Sequence, residues 1–225
     1  MRLLLISSTV VHGSGYLDHA EAELRRLLAG VGTVAFVPFA KQDHEGNTQR
    51  VRERLSAMGL EVTQVRSRAD VEQAAALFIG GGNTFRLLTA LYDRDLLDVI
   101  RARVAAGMPY IGSSAGTNVA TPSIRTTNDM PIVYPPSFDA LGLVPFQINP
   151  HYLDPDPTST HKGETRDERI HEFHEEHATP VVGLREASML DVRDDVVTLV
   201  GPKPARIFRR GQAAVEIESG SRIEP

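Results

Sequence analysis

Ser114 stands in the string Ile111-Gly112-Ser113-Ser114-Ala115-Gly116, where a short apolar run gives way to residues with helical spacing. A serine flanked by small residues at such a point fits a nucleophile elbow. A sharp strand-to-helix turn thrusts one side chain out at the carboxyl end of a sheet, and only small neighbours avoid clashing in so tight a bend. The five residues from Gly112 to Gly116 have the form GxSxG with Ser114 at the centre. The N–H of Ala115, opening the helix, would face the same spot and could stabilise a developing oxyanion. One donor is rarely enough. Gly80-Gly81-Gly82 closes another apolar run, and glycines let the backbone come close to a substrate, which makes Gly82 the expected second donor. Two plainer readings compete: small residues that merely permit close packing, or a glycine turn that cradles a phosphate as in dinucleotide-binding folds. Neither GxGxxG nor a Walker pattern is present, which weakens the phosphate version.

A serine nucleophile needs a base. Asn149-Pro150-His151-Tyr152 follows the apolar run 143–148, which puts His151 at a strand end on the same carboxyl edge as Ser114. The chain has eight histidines. His44, His161, His171, His174 and His177 lie in polar contexts and are expected in solvent, while His12 and His19 flank the first loop and remain candidates. His171, His174 and His177 are clustered, but their spacing fits neither HExxH nor HxxEH. Ile170, Phe173, His174 and His177 read more simply as one helix face, so no metal site is expected.

These side chains must be held by a scaffold, and the scaffold is legible as alternation. Leu3 to Ile6 reads as a first strand, and Leu17, Ala20, Leu24, Leu27 and Leu28 as one face of a helix stopped by Gly30. Thr33 to Phe39 reads as a second strand; Val51, Leu55 and Met58 mark a helix ended by Gly59, and Val62 and Val65 suggest a third strand. Leu77 to Ile79 is a buried strand ahead of the glycine triplet. Helical segments carrying Phe85, Leu88, Leu91, Leu96, Val99 and Ile100 follow, and Tyr110 and Ile111 form the next strand. Parallel neighbours need crossovers, and right-handed crossovers cover both faces, so the fold class is α/β with a doubly wound, mostly parallel sheet. From about residue 180 the runs 181–184, 189–192, 196–200, 205–208 and 213–217 are expected to be antiparallel hairpins that extend this sheet. Residues 121–164 are proline-rich and aperiodic, and long loops of that kind are usually functional. Thr165-Arg166-Asp167-Glu168 has the form of a capping box.

Bulk properties narrow the partners. A chain of 225 residues supports one well-packed domain, expected to span 1–225. Net charge is -5, with both signs interspersed, which argues against a nucleic-acid or anionic-membrane footprint and favours small-molecule partners. No cysteine is present, so any acyl-enzyme must form on oxygen. The first apolar run is too short to span a membrane and lacks a cleavage site, so the cytoplasm is the expected compartment. No strong exposed apolar stripe is visible, and a monomer or homodimer is expected.

Several stretches together resemble the peptidase E family of α-aspartyl dipeptidases: GGGNTFRLL at 80–88, GSSAGTNVA at 112–120, SIRTTNDMP at 123–131, PFQINPHY at 145–152 and HKGETR at 161–166. The resemblance implies a flavodoxin-like fold related to class I glutamine amidotransferases, and a serine triad that cleaves dipeptides with an N-terminal aspartate. It implies Ser114 as nucleophile, His151 as general base, and Gly82 and Ala115 in the oxyanion hole. For the third triad member it offers Glu186, in GLREAS, and Asp129, in TTNDMP. Glu186 is favoured because it follows an expected strand, leaving Asp129 to bind the substrate's amino group. Arg166 matches an arginine that holds the aspartyl carboxylate, for which a planar guanidinium is suited. Arg125 is its rival, and Asn83 joins the substrate-binding positions. Ser113 is a departure, since members often carry a bulkier residue there. No metal or organic cofactor is implied. A related hydrolase acting on another acidic peptide, such as the aspartyl-arginine polymer cyanophycin, and a non-catalytic amidotransferase-like binding module are the alternatives.

Overall fold

Leu3 to Ile6 are buried on both faces of their strand, which only a central position in a covered sheet allows. A computed structural model, describing residues 1–225 other than 159, 161, 195 and 225, places them there. Strand β1 (Arg2–Ile6) leads through α1 (Glu21–Leu27) to β2 (Thr33–Val37), α2 (His44–Ser56) and β3 (Glu61–Gln64). Then come α3 (Arg68–Glu72), β4 (Leu77–Ile79), α4 (Thr84–Asp93), α5 (Leu97–Ala105), β5 (Tyr110–Ser113) and α6 (Ala115–Asn118). A long irregular stretch reaches β6 (Gln147–Tyr152), α7 (Arg166–Glu176) and β7 (Val181–Arg185). The chain ends with β8 (Met189–Arg193), β9 (Val196–Val200), β10 (Ala205–Phe208), β11 (Val215–Ile217) and β12 (Arg222–Ile223).

The main sheet has the order β12-β9-β8-β1-β5-β4-β2-β3. Its β1, β5, β4, β2 and β3 run parallel, and β8, β9 and β12 add antiparallel neighbours. Side chains alternate across it. Leu3, Leu5 and Ile79 pack with α3, α4 and α5 on one face, whereas Leu4, Ile6, Phe36, Phe78 and Ile111 meet α1 and α2 on the other. The doubly wound α/β reading therefore holds.

The C-terminal strands depart from expectation. Only β8, β9 and β12 extend the main sheet; β11, β10, β7 and β6 form a second one, in which β6 and β7 are parallel. The run Val181 to Leu184 is apolar without alternation, so both faces of β7 need cover. Val182 and Leu184 join the main core, and Val181 packs with Tyr152, Ile170 and Phe208 beneath α7. The first helix also differs. Leu17 adopts φ 59°, a 3₁₀ turn covers Asp18–Ala20, and α1 begins only at Glu21. Among the described residues no helix is long and apolar enough to cross a membrane.

The histidines sort differently from their polar contexts. His174 is only 5% exposed. With Ile170 it forms the inner i, i+4 face of α7, and its Nε2 lies 3.1 Å from the Thr179 carbonyl oxygen. His44 is half-buried with its ring against Phe39, and His161 lies outside the described residues. No group of three or more His, Asp or Glu side chains among the described residues is placed to hold a metal ion. Burial lowers the His174 pKa from 6.5; the Thr179 carbonyl opposes this, and His171 and Arg210 add to it. A histidine with a depressed pKa stays neutral when folded while the unfolded chain takes up a proton, so stability falls as pH drops through 6.5 toward the folded value. Thermal midpoints measured from about pH 8 to about pH 5 should show this fall. His174→Gln, which keeps a donor for Thr179 and does not titrate, should flatten it; an unchanged slope would assign the fall to other groups.

Candidate active site

Ser114 occupies the bend between β5 and α6 with φ 51° and ψ -106°. A non-glycine residue held there costs about 1–3 kcal/mol, sustained only by its surroundings. Here the Ser114 N–H donates to the Ile6 carbonyl at 3.0 Å, and the Ser114 carbonyl accepts from Thr117 and Asn118 N–H groups at 3.0 and 2.9 Å. The Thr117 hydroxyl bridges the Ile6 and Gly112 carbonyls. A Cβ on Gly112 would strike the Gly116 carbonyl, and one on Gly116 would strike the Ile79 carbonyl. The small residues around the serine are thus a steric requirement of the bend.

His151 reaches the serine from the second sheet rather than from the main sheet's own edge. It sits at an irregularity in β6, where the β6–β7 register shifts between Pro150 and Tyr152, and it too has a positive φ, 54°. The bulge re-aims its side chain. Its Nε2 lies 2.9 Å from Ser114 Oγ and its Nδ1 lies 2.9 Å from Glu186 Oε1. Glu186 directly follows β7, the parallel partner of β6, in a turn whose next residue, Ala187, has φ 71°. Side chains of His151 and Glu186 are 40% and 43% exposed, leaving room for a ligand. A carboxylate at Nδ1 fixes the proton there, so Nε2 presents a lone pair to the hydroxyl.

Ser7, just past the end of β1 and singled out by nothing in the sequence, ties the sheets together. The His151 N–H donates to Ser7 Oγ at 2.9 Å, the buried Ser7 hydroxyl donates to the Leu184 carbonyl at 2.8 Å, and the Ser7 N–H reaches the Ser188 carbonyl at 3.1 Å. Because Ile6 accepts the Ser114 N–H, consecutive residues of β1's carboxyl end hold the serine and the histidine. No sequence motif marks such a serine.

The glycine triplet runs alongside. A Cβ on Gly81 would lie 3.2 Å from Ser114 Cβ. Gly82 has φ 146°, and any side chain there would collide with the Ala40 carbonyl. The N–H groups of Gly82 and Ala115 find no acceptor among the described residues. Unpaired donors beside the hydroxyl of a half-buried serine can receive a negatively charged oxygen.

The remaining residues separate. Asp129 does not pair with His151; its Oδ2 accepts from the Thr84 N–H at 2.7 Å and the Thr84 hydroxyl at 2.6 Å. A carboxylate at a helix N-terminus is where unpaired N–H groups draw it. Asn83 caps α4, accepting from the Arg86 N–H at 3.0 Å and donating to the Met130 carbonyl at 2.8 Å, so its polar atoms are spent within the chain. Arg125 is exposed and lies over the Phe138 ring at 5.1 Å. Arg166, the first residue of α7, is half-buried and has no ion pair or hydrogen bond among the described residues. It lines a cavity of about 400 Å³ with Leu153, Asp154, Thr165 and Arg169. Burial and the charge of Arg169 lower its pKa, which marks a cation lacking a counter-ion. The capping box ahead of it is formed, with the Thr165 N–H on Glu168 Oε2 at 2.6 Å and the Glu168 N–H on Thr165 Oγ1 at 3.2 Å.

A charged network missed by the sequence reading braces this region. Arg185, next to Glu186, grips Asp154 at 2.8 and 2.5 Å and Glu216 at 2.9 and 3.0 Å. Tyr152, next to His151, donates to Asp167 at 2.5 Å, and Asp167 adjoins Arg166. Each supporting residue is the chain neighbour of a candidate functional one, but the partners lie up to 54 residues apart, beyond any local pattern.

The sequence pattern of peptidase family S51 matches residues 3–200. Peptidase E of Streptomyces coelicolor is 55% identical, covering 98% of this chain and 93% of its own length. A Drosophila melanogaster protein named "Probable alpha-aspartyl dipeptidase" is 53% identical, with 96% and 92% covered. The crystal structure of a peptidase from an acI-B1 Actinobacterium superposes with a TM-score of 0.69 at 20% identity, covering 99% of this chain and 96% of that one, a likeness of fold.

Proposed function

The chain belongs to peptidase family S51, and we propose that it is a serine dipeptidase that hydrolyses dipeptides with an N-terminal aspartate through an acyl-enzyme on Ser114. The observation that carries the reading is the continuous path from Ser114 Oγ to His151 Nε2 and from His151 Nδ1 to Glu186, each link 2.9 Å. Relatives named peptidase E and alpha-aspartyl dipeptidase, each more than half identical, supply the substrate class. Neither the acidic-polymer reading nor a non-catalytic module is favoured by them.

In this mechanism His151 Nε2 accepts the Ser114 proton as Oγ attacks the aspartyl carbonyl carbon. The oxyanion of the tetrahedral intermediate is received by the Gly82 and Ala115 N–H groups, each contributing roughly 3 kcal/mol to transition-state stability. The imidazolium then returns its proton to the departing amine, and the second amino acid leaves. Water, losing a proton to His151, attacks the Ser114 ester, and the imidazolium returns that proton to Ser114 Oγ as aspartate leaves. Glu186 stays ionised throughout, holding the Nδ1 proton and stabilising the imidazolium. The two sheets act as one hydrolytic domain over residues 1–225, and no step calls on a metal or organic cofactor.

Arg166 supplies the selectivity. Two charge-assisted hydrogen bonds to the aspartyl side chain are together worth about 3 kcal/mol, roughly a hundredfold. Arg166→Met should lower kcat/KM for Asp-Leu by about that factor, and Arg166→Lys should restore only part because a lysine offers a point charge in place of a fork. Initial rates on Asp-Leu, Glu-Leu and Ala-Leu test the whole reading: Asp-Leu should dominate, and equal rates on all three would end the aspartyl claim.

A further inference from the structure

The carboxylate of Asp129 touches neither the serine nor the imidazole, yet it sits in a densely bonded segment near them. Its Oδ2 takes the Thr84 N–H and hydroxyl, and its own N–H donates to Thr127 Oγ1 at 3.2 Å, whose hydroxyl donates to Thr84 Oγ1 at 3.1 Å. Asn83 adds the bond to Met130. These contacts clamp the start of α4, two residues after Gly82. The other end of the same segment is tied to β6: Thr126 donates to the Ile148 carbonyl at 2.9 Å, Asn128 donates to the Pro150 carbonyl at 2.7 Å, and Asn149 donates to the Thr126 carbonyl and to Asn128 Oδ1 at 2.8 and 2.9 Å. Residues 126–130 thus form a strap from the strand bearing His151 to the turn bearing Gly82.

We infer that Asp129 is a positioning residue for the oxyanion donor: anchored on Thr84, it holds the Gly81-Gly82 turn against Ser114 at a fixed distance from the base. The inference rests on the serine-peptidase reading above. The turn needs such an anchor because Gly82, at φ 146°, has no side chain to restrict it, and among the described residues its neighbour's N–H is tied only to the Ala40 carbonyl, at 2.8 Å. A charge-assisted bond to a helix N-terminus is among the stronger ways to fix a backbone segment. It also assigns the carboxylate a task distinct from orienting His151 and from binding the substrate's amine.

The full-length chain carrying Asp129→Ala, Asp129→Asn or Thr84→Val separates these roles. Three quantities are read: kcat and KM on Asp-Leu, the pH profile of kcat/KM, and the rate at which a fluorophosphonate, which has neither aspartyl group nor amine, modifies Ser114. Asp129→Ala should lower kcat and the fluorophosphonate rate together by about a hundredfold, the scale of losing an oxyanion donor, with KM little changed. Asp129→Asn, whose amide oxygen still accepts from Thr84, should recover most of that loss. Thr84→Val, which removes only the hydroxyl, should cost about tenfold and covers the case in which the alanine variant fails to fold. A raised KM with an unchanged fluorophosphonate rate would overturn the inference in favour of an amine ligand. An acid limb displaced by about one pH unit would overturn it in favour of a partner for His151. Wild-type protein that neither cleaves Asp-Leu nor reacts with the fluorophosphonate would overturn the peptidase reading itself.

Discussion

Ser114→Ala is expected to lower turnover of Asp-Leu by about a millionfold, the loss seen when a nucleophile acting as one unit with its base is removed. His151 would remain beside Glu186 and the Gly82 and Ala115 donors would remain in place, so binding and oxyanion stabilisation should leave a residual rate above that of water alone. The fold should survive, because Ser114's structural bonds are made by its backbone N–H and carbonyl, while among the described residues its hydroxyl bonds only to His151. Steady-state kinetics beside a thermal melt check both halves. A loss smaller than about tenfold, with the melt unchanged, would mean that another group attacks the carbonyl.

Glu186→Gln should cost about ten-thousandfold in kcat. The glutamine side chain nearly matches the glutamate in shape, but it can turn an NH₂ donor toward His151 Nδ1. The ring proton would then move to Nε2, which faces Ser114 Oγ and could no longer accept its proton. The substitution leaves the backbone contacts of the turn alone, including the Ser188 N–H to the Arg185 carbonyl at 3.1 Å. A nitrogen NMR spectrum of the imidazole would report the tautomer directly. Retention of more than about a tenth of wild-type kcat would remove Glu186 from the mechanism.

Local signals and tertiary choices explain which parts of this molecule were legible in the chain. Most of the strand and helix alternation up to Ser114 was readable because β1, β2, β4 and β5 are short, largely apolar runs and α2, α4 and α5 each bury a stripe. α3 escaped because a five-residue helix with one buried side chain, Val71, has no periodicity to read. Its capping signal was there, however: Asp70 accepts from the Ser67 N–H and hydroxyl at 2.8 and 3.0 Å, the same device recognised ahead of Arg166. The second sheet was misassigned because a strand's partner is a tertiary choice. The unbroken apolar run of β7 did carry the clue that both its faces are covered. Ser114 and His151 were found from residue types and placement, and Glu186 was preferred to Asp129 for its position after a strand. Motifs alone could not show where the Asp129 and Asn83 polar atoms would be spent, since their partners are set by packing.

The serine and the imidazole hang from different sheets, and the Ser7 hydroxyl stitches the seam between them. Val182 and Leu184 of the second sheet share the main core, so packing registers the two layers together with that hydroxyl, and the quantity at stake is alignment rather than foldedness. A hydrogen bond of 2.9 Å tolerates little slippage. Hydrolytic power in this chain is therefore a vernier: a misplacement of about 1 Å across this seam, far short of unfolding, is large for the reaction.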